Sequence, residues 1–278
     1  MARDIDTGTD DLLARVEGNV GIITFNRPER RNALSDAVYD GFDAALPTMA
    51  ADPDVRVVLV TGNGGAFCAG GDVKQMNDAN QAGGQRAGRP AGLDDGINHL
   101  RGLQRKVSLA LHEFPKPVIA ALPGAAAGAG LSIALAADIR LAAERAVLVT
   151  AFANVGASGD FGGSWFLTQL VGPAKARELY WTSPKLSSAE ALELGLVNQV
   201  LPDDGFDQAA LDYCRALATR APIAQRLMKE NLNRALTCDL ATALDAEATN
   251  MVRTMRTADH KEAALAFVEK RPPNFTGT

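Results

Sequence analysis

Residues 116–132 read Lys116-Pro117-Val118-Ile119-Ala120-Ala121-Leu122-Pro123-Gly124-Ala125-Ala126-Ala127-Gly128-Ala129-Gly130-Leu131-Ser132. Pro117–Leu122 is a short apolar run stopped by Pro123-Gly124, the pattern of a buried strand. The small residues that follow let another backbone or a ligand approach closely. A small-residue helix starts near Gly128 and runs to Ala137. Its first turn carries N–H groups without intrahelical acceptors at the positive end of the helix dipole. Strand, tight turn and helix in that order point to an α/β protein.

A second stretch has the same build. Val55–Thr61 is a β-branched run bounded by Asp-Pro and by Gly62-Asn63-Gly64-Gly65, and Phe67-Cys68-Ala69-Gly70-Gly71-Asp72 follows it. Two such turns converging on one point would aim backbone N–H groups at a developing negative charge. Each turn taken singly reads as a packing corner before it reads as a site.

Working outward, Leu12–Glu17 and Val20–Phe25 flank Gly18-Asn19 as a hairpin, and Ser35 caps a helix to about Ala50. Residues 81–96, rich in Gly, Pro and Arg, read as a mobile loop. A helix follows at roughly 97–114. Asp138–Leu141, Ala146–Thr150 and Leu196–Leu201 read as strands. Helices are expected at 163–171 and 173–181, and another capped by Ser187 or Ser188. From Asp204 onward the pattern is helical, which marks residues 1–203 as an α/β core and 204–278 as a helical subdomain.

The chain has 278 residues, 47% hydrophobic and 22% charged, with a net charge of −5. That balance argues against nucleic acid or an anionic membrane as the main partner. Cys68, Cys214 and Cys238 form neither a disulfide framework nor a zinc spacing, so a reducing cytoplasm is expected. His99, His112 and His260 fit no metal spacing, and no metal is expected. Gly128-Ala129-Gly130-Leu131-Ser132-Ile133 superficially matches a dinucleotide fingerprint, but Ile133 stands where a third small residue belongs. A nicotinamide-dependent oxidoreductase is the alternative on that reading.

Several motifs occur in order: Asn26-Arg27-Pro28 with Asn32-Ala33-Leu34, Phe67–Asp72, Lys116–Ala121 with its turn and Asp138-Ile139, and Leu186-Ser187-Ser188-Ala189-Glu190-Ala191 with Gly195-Leu196-Val197. Together they resemble the enoyl-CoA hydratase/isomerase (crotonase) superfamily over about residues 11–275. The resemblance implies a spiral β/α core, a helical C-terminal trimerisation region, and a homotrimer or dimer of trimers. It implies an acyl-CoA substrate, with coenzyme A entering as part of the substrate and no separate cofactor. Carried over by position, Gly71 and Ala129 supply the oxyanion N–H groups. Arg31, Ala33, Ala69, Asp72 and Val73 match CoA-contacting positions, and Lys270 on the last helix matches a phosphate contact. Asp72 reads equally as a helix N-cap, and Arg31 as a solvated basic turn.

Hydratases of this superfamily use two glutamates, and the matching positions here are Ser132 and Phe152. One acid remains in the facing loop, Asp160, in Val155-Gly156-Ala157-Ser158-Gly159-Asp160-Phe161-Gly162-Gly163-Ser164-Trp165. This loop and the C-terminal Lys270-Arg271-Pro272-Pro273-Asn274-Phe275 resemble the ring-1,2-epoxyphenylacetyl-CoA isomerase branch, where the loop aspartate is catalytic. 4-Chlorobenzoyl-CoA dehalogenases place an aspartate there too, paired with a tryptophan where this chain has Phe152. A 1,3-proton shift needs one base that serves C2 and C4 of one substrate while an enolate is held. Phe152, Phe161 and Trp165 would wall such a base from water. The expected activity is isomerisation of an unsaturated or epoxidised acyl-CoA by Asp160. Hydration and non-catalytic acyl-CoA binding are the alternatives. For Asp160 itself the alternative role is a helix N-cap.

Overall fold

The computed structural model describes residues 2–72, 77, 81 and 92–278. The large sheet has seven strands in the order β1-β2-β3-β4-β6-β8-β11. These are β1 Ala2–Ile5, β2 Leu12–Glu17, β3 Val20–Phe25, β4 Val57–Gly62, β6 Val118–Leu122, β8 Ile139–Ala143 and β11 Gln199–Leu201. The first three are antiparallel, and from β3 onward every pairing is parallel. A second sheet runs β10-β9-β7-β5, built from β5 Ala66–Cys68, β7 Ala125–Ala127, β9 Val147–Val149 and β10 Leu186–Ser187. Each of β4, β6 and β8 thus delivers the chain directly to a strand of the small sheet, which is the turn of the expected spiral.

The continuous apolar runs of the large sheet exist because both its faces are buried. Val57, Leu59, Ile119 and Ala121 point to one side, under helix α6 (Phe206–Ala218) with Phe206, Ala210 and Cys214. Val58, Val60, Val118, Ala120 and Leu122 point to the other, toward the small sheet and helix α1 (Asp36–Ala51). Ser35 caps α1 as expected, its hydroxyl accepting from the Val38 N–H. The Lys116 ammonium closes the other end, donating to the Met49 and Asp52 carbonyls at 2.7 and 2.6 Å.

Helix α2 begins at Leu93 rather than near 97 and runs to Gln104. It continues through a π-helical turn, Arg105–Leu109, into a last α-turn, Ala110–His112. The loop expected at 81–96 lies largely outside the described residues. Helix α3 is Ala129–Leu135. Helix α4, Gly163–Thr182, breaks at Gly172 (φ 75°, ψ 164°) before Pro173, giving the two expected segments. Helix α5, Ser188–Glu193, carries a capping box between Ser187 and Glu190. Helices α7 (Pro222–Ala235), α8 (Leu240–Met255) and α9 (Ala258–Glu269) complete the chain.

Four strands were not expected from the pattern, among them the two-residue β10, which read only as the cap of α5. β1 is polar and mostly exposed, so only edge pairing with β2 defines it. β5 and β7 lie inside what read as turns, because their small side chains allow parallel pairing without an apolar run. The strand expected at Leu196–Leu201 pairs only over Gln199–Leu201, since Leu196 and Val197 cap α5 through the Ala191 carbonyl. No helix among the described residues is long and apolar enough to cross a membrane.

Candidate active site

The two glycine-rich turns meet. Gly70 has φ +82°, and a Cβ there would stand 2.6 Å from the Ala127 carbonyl oxygen and 3.1 Å from the Ala129 nitrogen. A Cβ on Gly130 would overlap the Cys68 carbonyl oxygen. Backbones this close require glycine at both positions. The first turn is held from the other side by a single parallel bridge, Leu34 to Gly71, with the Leu34 N–H donating to the Gly70 carbonyl at 2.8 Å. Among the described residues, neither the Gly71 nor the Ala129 N–H donates a hydrogen bond. Ala129 opens α3, where no intrahelical acceptor exists. Two unspent donors at the junction of two locked turns are suited to an oxyanion.

The surrounding polar residues brace this junction. Asn32, almost fully buried, accepts from the Arg27 N–H at 2.8 Å and donates to the Asn63 and Ala66 carbonyls at 2.9 and 2.8 Å. The Arg27 guanidinium donates to the Ala33 carbonyl at 2.6 Å and lies 4.0 Å from the buried Asp72 carboxylate. The Ala69 N–H donates to the Arg31 carbonyl at 3.0 Å, so Arg31, Ala33 and Ala69 sit together beside the first turn. Arg31 is exposed, in the left-handed region at φ 50°. Val73 lies outside the described residues. Lys270 ends α9 as its left-handed C-cap and is exposed. Among the described residues nothing ties it to the two turns. Burial pushes the Cys68 thiol up to about 12, which leaves it a packing residue between the turns.

Asp160 is half-buried at the entrance to α4. Its Oδ1 accepts from the Gln104 side-chain amide at 2.8 Å and from the Phe161 N–H at 2.7 Å. The N-cap of α4 is Gly162, and no side chain caps that helix. The carboxylate is therefore not a helix cap, because Phe161 at φ 50° turns the chain between Asp160 and the helix. Phe161 is fully buried and stacks on Tyr39 at 5.7 Å between centroids. Phe152 is buried beside Gly128, its ring atoms 3.9 and 4.0 Å from where a Gly128 Cβ would stand. Trp165, by contrast, is 38% exposed and packs edge-on to His112 and Phe166, away from the expected wall. Ser132 donates to the Gly128 carbonyl at 3.2 Å within α3. Gln104 carried no motif signal, and only its place on α2 brings it to Asp160. Among the described residues no group of His, Cys, Asp or Glu could hold a metal.

The enoyl-CoA hydratase/isomerase family profile matches residues 15–278. The 1,2-epoxyphenylacetyl-CoA isomerase of Escherichia coli K12 is 37% identical over 96% of this chain and 98% of its own length. A short-chain-enoyl-CoA hydratase of Clostridium acetobutylicum is 34% identical over 94% of this chain and 96% of its own. A crystal structure of an enoyl-CoA hydratase from Polaromonas sp. JS666 superposes with a TM-score of 0.87 at 35% identity, covering 95% of this chain and 99% of that one. Paired turns with two free N–H groups, a spiral of strand pairs and relatives matching nearly end to end agree: the chain belongs to the enoyl-CoA hydratase/isomerase family of the crotonase superfamily.

Proposed function

We propose that this enzyme isomerises an unsaturated or epoxidised acyl-CoA, with Asp160 as the acid/base. The observation that carries the reading is the state of the Asp160 carboxylate. It is aligned by Gln104 and the Phe161 N–H and is free of any capping duty, while the hydratase positions, Ser132 and Phe152, carry no acid. The Gly71 and Ala129 N–H groups would hold the thioester oxygen as charge develops. Asp160 would take the proton from C2 as that C–H bond breaks, and return it to C4 as the double bond moves. One carboxylate suffices for this shift, whereas hydration must also orient a water.

Arg31, Ala33, Ala69, Asp72 and Val73 would receive the CoA moiety, with Phe152 lining the acyl end. Lys270 would meet phosphate from a neighbouring copy in a homotrimer or dimer of trimers. Exposed apolar side chains on the C-terminal helices, among them Leu232, Leu240, Met251 and Phe267, support such assembly. The three unpaired cysteines suit a reducing cytoplasm.

Asp160→Asn is the direct test, with a 3-enoyl-CoA as substrate and the conjugated thioester absorbance as readout. Loss of a positioned acid/base predicts a fall of about 10²–10⁴ in kcat with the fold retained. Full activity in the variant would remove Asp160 from the mechanism. The hydratase-named relatives favour one second reading, hydration of a 2-enoyl-CoA. Crotonyl-CoA consumption by the wild type, without 3-enoyl-CoA turnover, would select it.

A further inference from the structure

One side chain closes the space beside Asp160 and has no part in the proton transfer. Tyr180, in the second segment of α4, stacks its ring on Phe152 at 5.8 Å and 14° between planes. Its hydroxyl is buried and faces the Ser132 side chain. The same hydroxyl stands 2.6 Å from where a Gly163 Cβ would be, a point that also collides with the Ser132 hydroxyl. The ring reaches the loop as well, its Cε1 2.9 Å from a Cβ position on Gly159, the neighbour of Asp160. Tyr180 therefore touches α3, the start of α4 and both ends of the 152–160 loop at once.

Burial, opposed by a bond with the Ser132 side chain and helped by the Asp160 charge, pushes the phenol up to about 12. It is a neutral filler at working pH.

We propose that Tyr180 is a specificity-determining residue: it occupies the pocket between Ser132, Gly163 and Asp160 that a water molecule would otherwise take. The inference rests on Asp160 being the acid/base. A dry site keeps the proton taken from C2 on Asp160 until it is delivered to C4. A wet site lets that proton exchange with solvent. The space is polar, with Ser132 Oγ and the carboxylate as partners, so once emptied it would fill with water rather than stay void.

The test uses the full-length enzyme turning over a 3-enoyl-CoA in D2O, with deuterium at C4 of the product read by mass spectrometry. Wild type and Tyr180→Phe, which keeps the filler, are expected to return mostly substrate-derived proton. Tyr180→Ala and the milder Tyr180→Val are expected to raise deuterium incorporation several-fold and to gain hydration of crotonyl-CoA. A purely structural role would lower rate or stability without moving that partition. Unchanged incorporation in both small variants would overturn the proposal, as would Tyr180→Phe behaving like Tyr180→Ala. Crystal structures of wild type and Tyr180→Val judge the filler independently of turnover. A water bonded to Ser132 Oγ in the variant alone supports it, and a water already there in the wild type overturns it. A wild type inactive on 3-enoyl-CoA would sink the isomerase reading while leaving this crystallographic comparison decisive.

Discussion

Substituting Gly70 by alanine should separate catalysis from folding. The new methyl would stand 2.6 Å from the Ala127 carbonyl oxygen and 3.1 Å from the Ala129 nitrogen. Reaching ordinary van der Waals contact requires the turns to part by roughly 0.8 Å. The Gly71 and Ala129 donors sit on opposite sides of that gap, so their common focus is lost. Misplacement on this scale costs about 10²-fold in rate, and loss of one oxyanion donor about 10²–10³. The φ of +82° adds strain of about 1–3 kcal/mol, which an enzyme of ordinary stability tolerates. Gly65→Ala is the matched control. It has φ +76°, but its nearest neighbour would be an Arg145 guanidinium nitrogen at 3.6 Å. Both variants should melt earlier than wild type, Gly70→Ala the more so, and only Gly70→Ala should lose about 10²-fold or more in kcat/KM on a CoA thioester. A folded Gly70→Ala enzyme with the activity of its Gly65→Ala counterpart would refute the convergence of the two turns as the oxyanion site.

Three further outcomes follow from the same geometry. Gln104→Ala frees the Asp160 carboxylate to rotate, so kcat should fall about tenfold, the worth of one charged hydrogen bond, with KM nearly unchanged in steady-state assays. Lys229→Met breaks a mostly buried pair, since the ammonium donates to Asp138 at 2.8 Å and to the Leu111 and Lys116 carbonyls. The Asp138 carboxylate left behind, still bonded to the Val118 N–H, should cost about 3 kcal/mol in denaturant unfolding, and the double variant with Asp138→Asn less than the two singles together. Glu262 is held at about 2, below its ordinary 4.5, by the Arg271 guanidinium and the Asn274 N–H. A depressed carboxyl stabilises fully above 4.5 and loses that contribution as pH falls toward 2, so amide exchange at 271–278 should accelerate across that window and not between pH 5 and 8.

Much of the architecture was legible because the inner strands β3, β4 and β6 of the large sheet are apolar on both faces, and such runs survive reading without context. The edge strand β1 was not legible, since polar residues pair there through backbone alone. Nor were β5 and β7, whose alanines and cysteine read as turn residues. The most conspicuous motif residues proved to be braces. Asn32 ties two turns, Lys116 closes α1, and Asp138 anchors α7 through Lys229. Asp160 could be located from its loop, but whether it caps α4 depended on the left-handed turn at Phe161, which a phenylalanine does not advertise. Gln104 and Tyr180 stayed invisible because their importance lies in contacts across 56 residues in one case and across the α4 break in the other.

The π-helical turn at Arg105–Leu109 has a consequence for how this site tolerates change. Within it Val107 and beyond it Leu111 are keyed into the core; just upstream, Gln104 is keyed to Asp160. A π turn amounts to one extra residue wound into an α-helix, so it acts as a phase adjuster between two fixed appointments on one rod. Substitutions along its outer face leave that phase intact. Excising a single residue from 105–109 would restore a regular helix yet rotate everything before it by about 100°, swinging Gln104 off the carboxylate and Leu103 out of the core. The aspartate's alignment is thus stored in helix length as much as in side-chain chemistry.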